Sequence, residues 1–198
     1  MKLLLATRNK NKLSEIRAIF NIPGLEIIAA EDIEGLPEVE EDADTFEGNA
    51  FKNARTLCKA SGLWTMADDS GLQVDALNGE PGVYSSRYAG EHANDAKNNA
   101  KLLKNLEGVT DRFARFRCTL ALVAPDGREW TVSGTCEGHI ANDIMGPRTF
   151  GYDPVFIPEG HDQSFSQMSH EAKNAISHRG RALAKAAAEW GDLLSGEA

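Results

Sequence analysis

Two neighbouring carboxylates interrupt an apolar run in "WTMADDSGLQVDAL", the stretch from Trp64 to Leu77. Leu63 to Ala67 reads as a short buried strand, and Asp68, Asp69, Ser70 and Gly71 then stand at its carboxyl end. In open α/β sheets ligands bind outside the carboxyl ends of strands. Two carboxylates placed there can hold a hard divalent cation and orient or deprotonate a water. An Asx-turn capping the strand is the plainer explanation of the same residues. An acid-rich loop over residues 31–44 could add a further carboxylate, Glu41 or its neighbour Glu40, although most acidic runs are simply solvated.

A second constellation lies near the start, in "ATRNKNK". A strand, a tight polar loop and a helix start make an anion site when unpaired backbone N–H groups and the positive helix end face the loop. Arg8, Lys10 and Lys12 add charge, but the loop lacks the glycines of a Walker A motif. "TFGYDPVF" sets Phe150 and Tyr152 around Gly151, where aromatic rings could stack a base or merely close a core. "AKNAISHRG" gathers Lys173, Ser177, His178 and Arg179 at a break between helices, with Ser177 a good helix N-cap.

The elements that must position these residues follow from periodicity. Lys2 to Ala6 is a strand, a helix from Asn9 carries Leu13, Ile16, Ile19 and Phe20 inward, and Leu25 to Ala30 is a strand again. That β-α-β opening implies a parallel strand pair. A helix from Thr45 to Ser61 stops at Gly62, and another runs from about Ala93 to Leu106. Arg115–Ala124 and Glu129–Cys136 flank "PDG" as a hairpin, and Val155–Ile157 is a short strand. A C-terminal helix shows Leu183, Ala187, Trp190 and Leu194 at helical spacing. The class is α/β with a mixed sheet, and 198 residues suit a single domain over 1–198, with room for two lobes.

The net charge of −9 excludes a surface that coats nucleic acid. No apolar run reaches the length of a signal peptide's core or a membrane span. The three cysteines, with no C-x-x-C pair, suit a reduced cytoplasmic protein without structural zinc.

Taken together, "LATRNKNKLSEI", "EEDADTFEGNA", "ADDSGLQVDALNGEPGVYSSRYAG", "ARFRC", "FGYDPVF" and "EAKNAISHRGRAL" resemble the Ham1-like inosine/xanthosine triphosphate pyrophosphatases. The resemblance implies a two-lobed fold, with a long mixed central sheet flanked by helices and an interlobe cleft. It implies a homodimer that converts non-canonical purine triphosphates to monophosphate and pyrophosphate with Mg²⁺. By resemblance Asp69 is the catalytic base and a metal ligand, and Glu41 the second metal carboxylate. Substrate contacts fall on the loop Thr7, Arg8, Asn9, Lys10, Asn11 and Lys12, and on Ser70. They continue in the base-holding residues Phe150, Gly151, Tyr152 and Asp153, and in Lys173, His178 and Arg179. The His178–Arg179 turn would donate to the purine 6-keto oxygen. This chain departs from the family pattern at Arg8, at Arg148-Thr149, where glycines are frequent, and at Asn53, where a lysine is common.

Overall fold

The computed structural model describes residues 1–90 and 94–196. Six strands form one sheet: β1 (Lys2–Leu5), β2 (Glu26–Ala29), β3 (Trp64–Val74), β4 (Phe113–Val123), β5 (Glu129–Ile140) and β6 (Phe156–Pro158). Their order is β2-β1-β3-β4-β5-β6. β1 is parallel to both β2 and β3, whereas β6 is antiparallel to β5, so the sheet is mixed as the sequence implied. The helices are α1 (Lys10–Ile19), α2 (Phe46–Ser61), α3 (Asp95–Asn105), α4 (His170–Ile176) and α5 (His178–Ser195).

The chain divides into two compact units, and the three long strands β3, β4 and β5 each contribute to both. The first unit comprises residues 1–69, 118–134 and 179–198. On one side of its sheet segment, Leu13 and Ile16 of α1 and Leu183, Ala186 and Trp190 of α5 pack with Leu3, Leu5, Met66, Cys118 and Leu120. On the other side Ala50, Ala54 and Cys58 of α2 cover Ala67, Ala121 and Val123. α2 matches its sequence reading closely. Thr45 accepts from the Gly48 amide as N-cap, and Gly62 closes the last turn in the left-handed region. In α5 the inward residue is Ala186, and Ala187 is exposed. A helix keeps its buried stripe at 3- and 4-residue steps from Leu183 and Trp190, and both spacings fit those anchors, so periodicity could not separate the two alanines.

The second unit comprises residues 70–117 and 135–178. Its core joins Leu72 and Val74 of β3, Leu102 of α3 and Leu106 just past its end, Phe116, Cys136, Ile140, Phe156 and Phe165. β5 runs to Ile140, beyond the Cys136 expected from the sequence, because β6 pairs with Gly138–Ile140. Gly138 is required by that pairing, since a Cβ there would lie 2.2 Å from the Ile157 carbonyl oxygen. α3 begins at Asp95 with Asn94 as its N-cap, and the expected start at Ala93 lies outside the described residues.

The sequence reading fails most clearly at Asp68–Gly71. These residues do not hang from a strand tip, because β3 continues through them to Val74. The alternation resumes with Leu72 and Val74 buried, and that burial keeps the backbone extended. The strand that ends here is β1: its pairing with β3 stops at Leu5–Met66, followed only by the Ala6 amide donating to the Met66 carbonyl at 2.8 Å. Asp68 and Asp69 thus lie just past the carboxyl end of the parallel neighbour.

Candidate active site

Successive residues of a strand point to opposite faces, and this separates Asp68 from Asp69, which both belong to the first unit. Asp68 faces α1 and α5. Its Oδ2 accepts from Arg179 Nε and Nη2 at 3.1 and 3.0 Å, while Oδ1 lies 3.2 Å from the Lys12 ammonium. Arg179 Nη1 also donates to Glu15, closing an alternating row Lys12–Asp68–Arg179–Glu15. Cys118 Sγ sits 3.8 Å from Asp68 Oδ2, and burial pushes its thiol up, so it stays neutral. Asp69 faces α2, where Asn49 Nδ2 donates to its Oδ2 at 3.0 Å.

Both residues are buried, yet their protonation is driven apart. Burial works against the Asp68 charge, but Lys12 and Arg179 override it and hold its pKa below the usual range. At Asp69 the balance tips the other way. Burial raises it to about 7; Lys12 opposes that shift, and Glu41 and Asp68 add to it. Neighbouring acids whose environments push their pKa values apart are candidates for an acid/base pair. Asp69 is the poised member here, and Lys12 and Arg179 hold Asp68 ionised.

Glu41 lies in the same field, acting on both Asp69 and Lys12, and its Oε1 accepts from Asn53 Nδ2 at 3.0 Å. Glu40 points to solvent. Asn49 and Asn53 are one helical turn apart on α2, so one face of that helix holds both carboxylates. Neither asparagine was assigned a role from the sequence; the available signal was their i, i+4 spacing beside the acidic loop. Glu15 was likewise missed. Lys52, the neighbour of Asn53, ion-pairs with Asp42.

The loop ahead of α1 differs from expectation. Two of its first-turn amides are already taken, because Asn9 Oδ1 accepts from the Asn11 and Lys12 amides, and Thr7 Oγ1 accepts from the amide of Asn9 itself. A polar N-cap satisfies those donors internally. Anion binding here would fall mainly to side chains. Lys12 is the half-buried one, Lys10 and Asn11 are exposed, and Arg8 binds Glu38 and the Leu36 carbonyl.

The remaining sequence candidates, from Ser70 to His178, belong to the second unit. Phe150–Asp153 is a tight turn in which the Asp153 amide donates to the Phe150 carbonyl at 3.1 Å. Gly151 adopts φ +53, the left-handed region that glycine occupies without penalty. Tyr152 is buried, and its hydroxyl donates to the Ser85 carbonyl at 2.7 Å. Asp153 receives Lys173 Nζ at 2.6 Å in a buried ion pair, and the same ammonium lies 5.6 Å from the Phe150 ring centroid. His178 opens α5 with its ring stacked on Phe116 at 4.6 Å. Ser177, extended and buried, forms the break before it. Arg179 is 1% exposed and belongs to the first unit, where its guanidinium serves Asp68 and Glu15.

The donor set suits a hard cation. Among the described residues no group of three or more His, Cys, Asp or Glu side chains is placed to hold a metal. Asp69 and Glu41 form a carboxylate pair whose mutual repulsion a divalent ion would relieve. Mg²⁺ characteristically takes one or two carboxylates and completes its shell with water and substrate phosphates.

Comparison with known proteins identifies the family. The chain is 49% identical over 188 residues to the dITP/XTP pyrophosphatase of Desulforamulus reducens, covering 94% of each chain. It is 51% identical over 185 residues to the dITP/XTP pyrophosphatase of Geobacter sulfurreducens, covering 92% of this chain and 93% of that one. The solved structure of the Staphylococcus aureus Ham1 protein superposes with a TM-score of 0.87 at 39% identity, over all of both chains. The Ham1 family profile matches residues 3–189, and the chain belongs to the Ham1 family.

Proposed function

We propose that the chain hydrolyses non-canonical purine nucleoside triphosphates, dITP/ITP and XTP/dXTP, to the monophosphate and pyrophosphate. The observation that carries this reading is the split between Asp68 and Asp69. One carboxylate is locked by two cations, and its neighbour is buried, poised near neutrality and faced by Glu41. The names of the curated relatives supply the substrate class.

In this mechanism Asp69 orients a water and takes its proton as the water oxygen bonds to the α-phosphorus. The bond from that phosphorus to the bridging oxygen breaks, and pyrophosphate leaves. A base works best when its pKa lies near the operating pH; burial raises that of Asp69 in the metal-free protein, and a cation bound there would bring it down again. Magnesium held by Asp69 and Glu41 would supply charge screening and a more acidic water. Asn49 and Asn53 fix the two carboxylates, and Arg179 and Lys12 keep Asp68 ionised so that it does not compete for the proton. Lys12 and Lys10 would neutralise the polyphosphate, which makes catalysis chiefly positioning and electrostatics. Phe150 would stack the base, with Lys173 and His178 beside it. The family resemblance further supports a cytoplasmic homodimer. No helix among the described residues is long and apolar enough to cross a membrane.

Hydrolysis of inosine triphosphate in water carrying a heavy oxygen isotope tests the point of attack. The label should enter the monophosphate. Label in the pyrophosphate or in orthophosphate would refute it.

A further inference from the structure

The turn Phe150–Asp153 is fixed at three points, and two are provided by its own side chains. Tyr152 is tied by its hydroxyl to Ser85, and Asp153 by its carboxylate to Lys173. The third has no side chain to use. At Gly151 both backbone polar groups are taken by one helix: the amide donates to Asp95 Oδ2 at 2.9 Å, and Asn99 Nδ2 donates to the carbonyl at 2.9 Å. Asp95 and Asn99 lie one turn apart on α3, so their side chains share a face and bracket a single peptide residue. Asp95 is in the first helical turn, where the positive end of the helix favours its charge, and its bond to the amide is charge-assisted. Asn99 is buried with its nitrogen committed to that carbonyl.

Crowding does not force Gly151 into place. Among the described residues a Cβ there would meet nothing within 4 Å, so the left-handed conformation is not imposed by packing. We propose that Asp95 and Asn99 are positioning residues that clamp Gly151 and thereby aim the half-buried Phe150 ring for base stacking. The cavity of about 280 Å³ alongside is lined by both residues, Phe150 and Leu103, and leaves room for Phe150 and Gly151 to shift once the clamp is released, with Tyr152 and Asp153 still tied. The inference rests on the reading of Phe150 as the base-stacking residue.

Because the clamp acts on binding equally in ground and transition states, its loss should appear in KM and not in kcat. Asn99→Asp keeps the shape and turns the donor into an acceptor facing a carbonyl. Asp95→Leu removes the acceptor, whereas Asp95→Asn keeps an acceptor without its charge. Losing a hydrogen bond to a charged or buried partner corresponds to about tenfold or somewhat more. Asn99→Asp and Asp95→Leu should therefore raise KM for inosine triphosphate about tenfold with kcat within roughly threefold. Asp95→Asn should fall between them and the parent. Hydrogen exchange of the 149–153 segment in the free protein should quicken in the same order. Faster exchange with unchanged KM, or unchanged exchange in Asn99→Asp, would overturn the inference. If Phe150→Ala itself leaves KM unchanged, the base-stacking reading falls, and the exchange data still decide whether the clamp exists.

Discussion

Replacing Asp69 by Asn should stabilise the protein at neutral pH while removing most of its activity. The folded state raises the Asp69 pKa from 3.8 to about 7. An acid whose pKa is raised on folding binds more protons folded than unfolded between those two values. Stability therefore falls as pH rises through that window, the reverse of the usual paired carboxylate. At about 1.4 kcal/mol per pH unit the full penalty approaches roughly 4 kcal/mol above neutrality. The amide of Asp69→Asn carries no charge to bury and keeps an oxygen for the Asn49 donor. Urea unfolding of both proteins in EDTA, from near pH 4 to about pH 8, reads the contribution of Asp69 together with its coupling to Lys12, Glu41 and Asp68, because groups remote from it cancel in the difference. The two should be equally stable near pH 4, separate progressively, and differ by about 2–4 kcal/mol at about pH 8, with turnover reduced by roughly 10²–10⁴. A difference that does not change with pH, or a variant less stable at about pH 8, would refute the claim that Asp69 is a desolvated, poised acid.

Arg179→Met should destabilise by about 3–5 kcal/mol in thermal unfolding, because it strands Asp68 and Glu15 without their shared cation. Adding Asp68→Asn should recover part of that loss; no recovery would contradict the pairing. Asn53→Ala releases Glu41 and should raise the Mg²⁺ concentration needed for half-maximal rate several-fold with little change in Tm, read by metal titration of initial rates. Exhaustive EDTA treatment should abolish turnover, and activity surviving it would exclude the Asp69–Glu41 cation. Phe150→Ala should cost about 1–3 kcal/mol of binding for inosine and adenosine triphosphates alike, measured as KM, leaving their ratio unchanged.

Most of the framework was legible because it is local. The β-α-β opening, the Thr45 cap and Gly62 stop of α2, and the alternation of Phe116 to Leu122 are periodic or capping signals carried by neighbouring residues. The acid pair was found by type, but its setting was misread. Whether β3 ends at Ala67 depends on Leu72 and Val74 finding a core, and that core comes from distant segments. The roles inside the site were harder for the same reason. Arg179 and Asp68 are 111 residues apart, and no spacing rule shows that the guanidinium is consumed by carboxylates. Two of the open amides expected before α1, those of Asn11 and Lys12, are taken by Asn9, a cap that the sequence contained.

The central claim is that this site cleaves keto-purine triphosphates at the α-phosphorus. Pyrophosphate and orthophosphate release, measured side by side with kcat/KM across deoxyinosine, xanthosine, adenosine and modified pyrimidine triphosphates, tests it most directly. The account predicts pyrophosphate as the product and a preference for the keto purines over adenosine triphosphate. Orthophosphate as the main product, nucleotide binding without turnover, or a modified pyrimidine as the best substrate would contradict it.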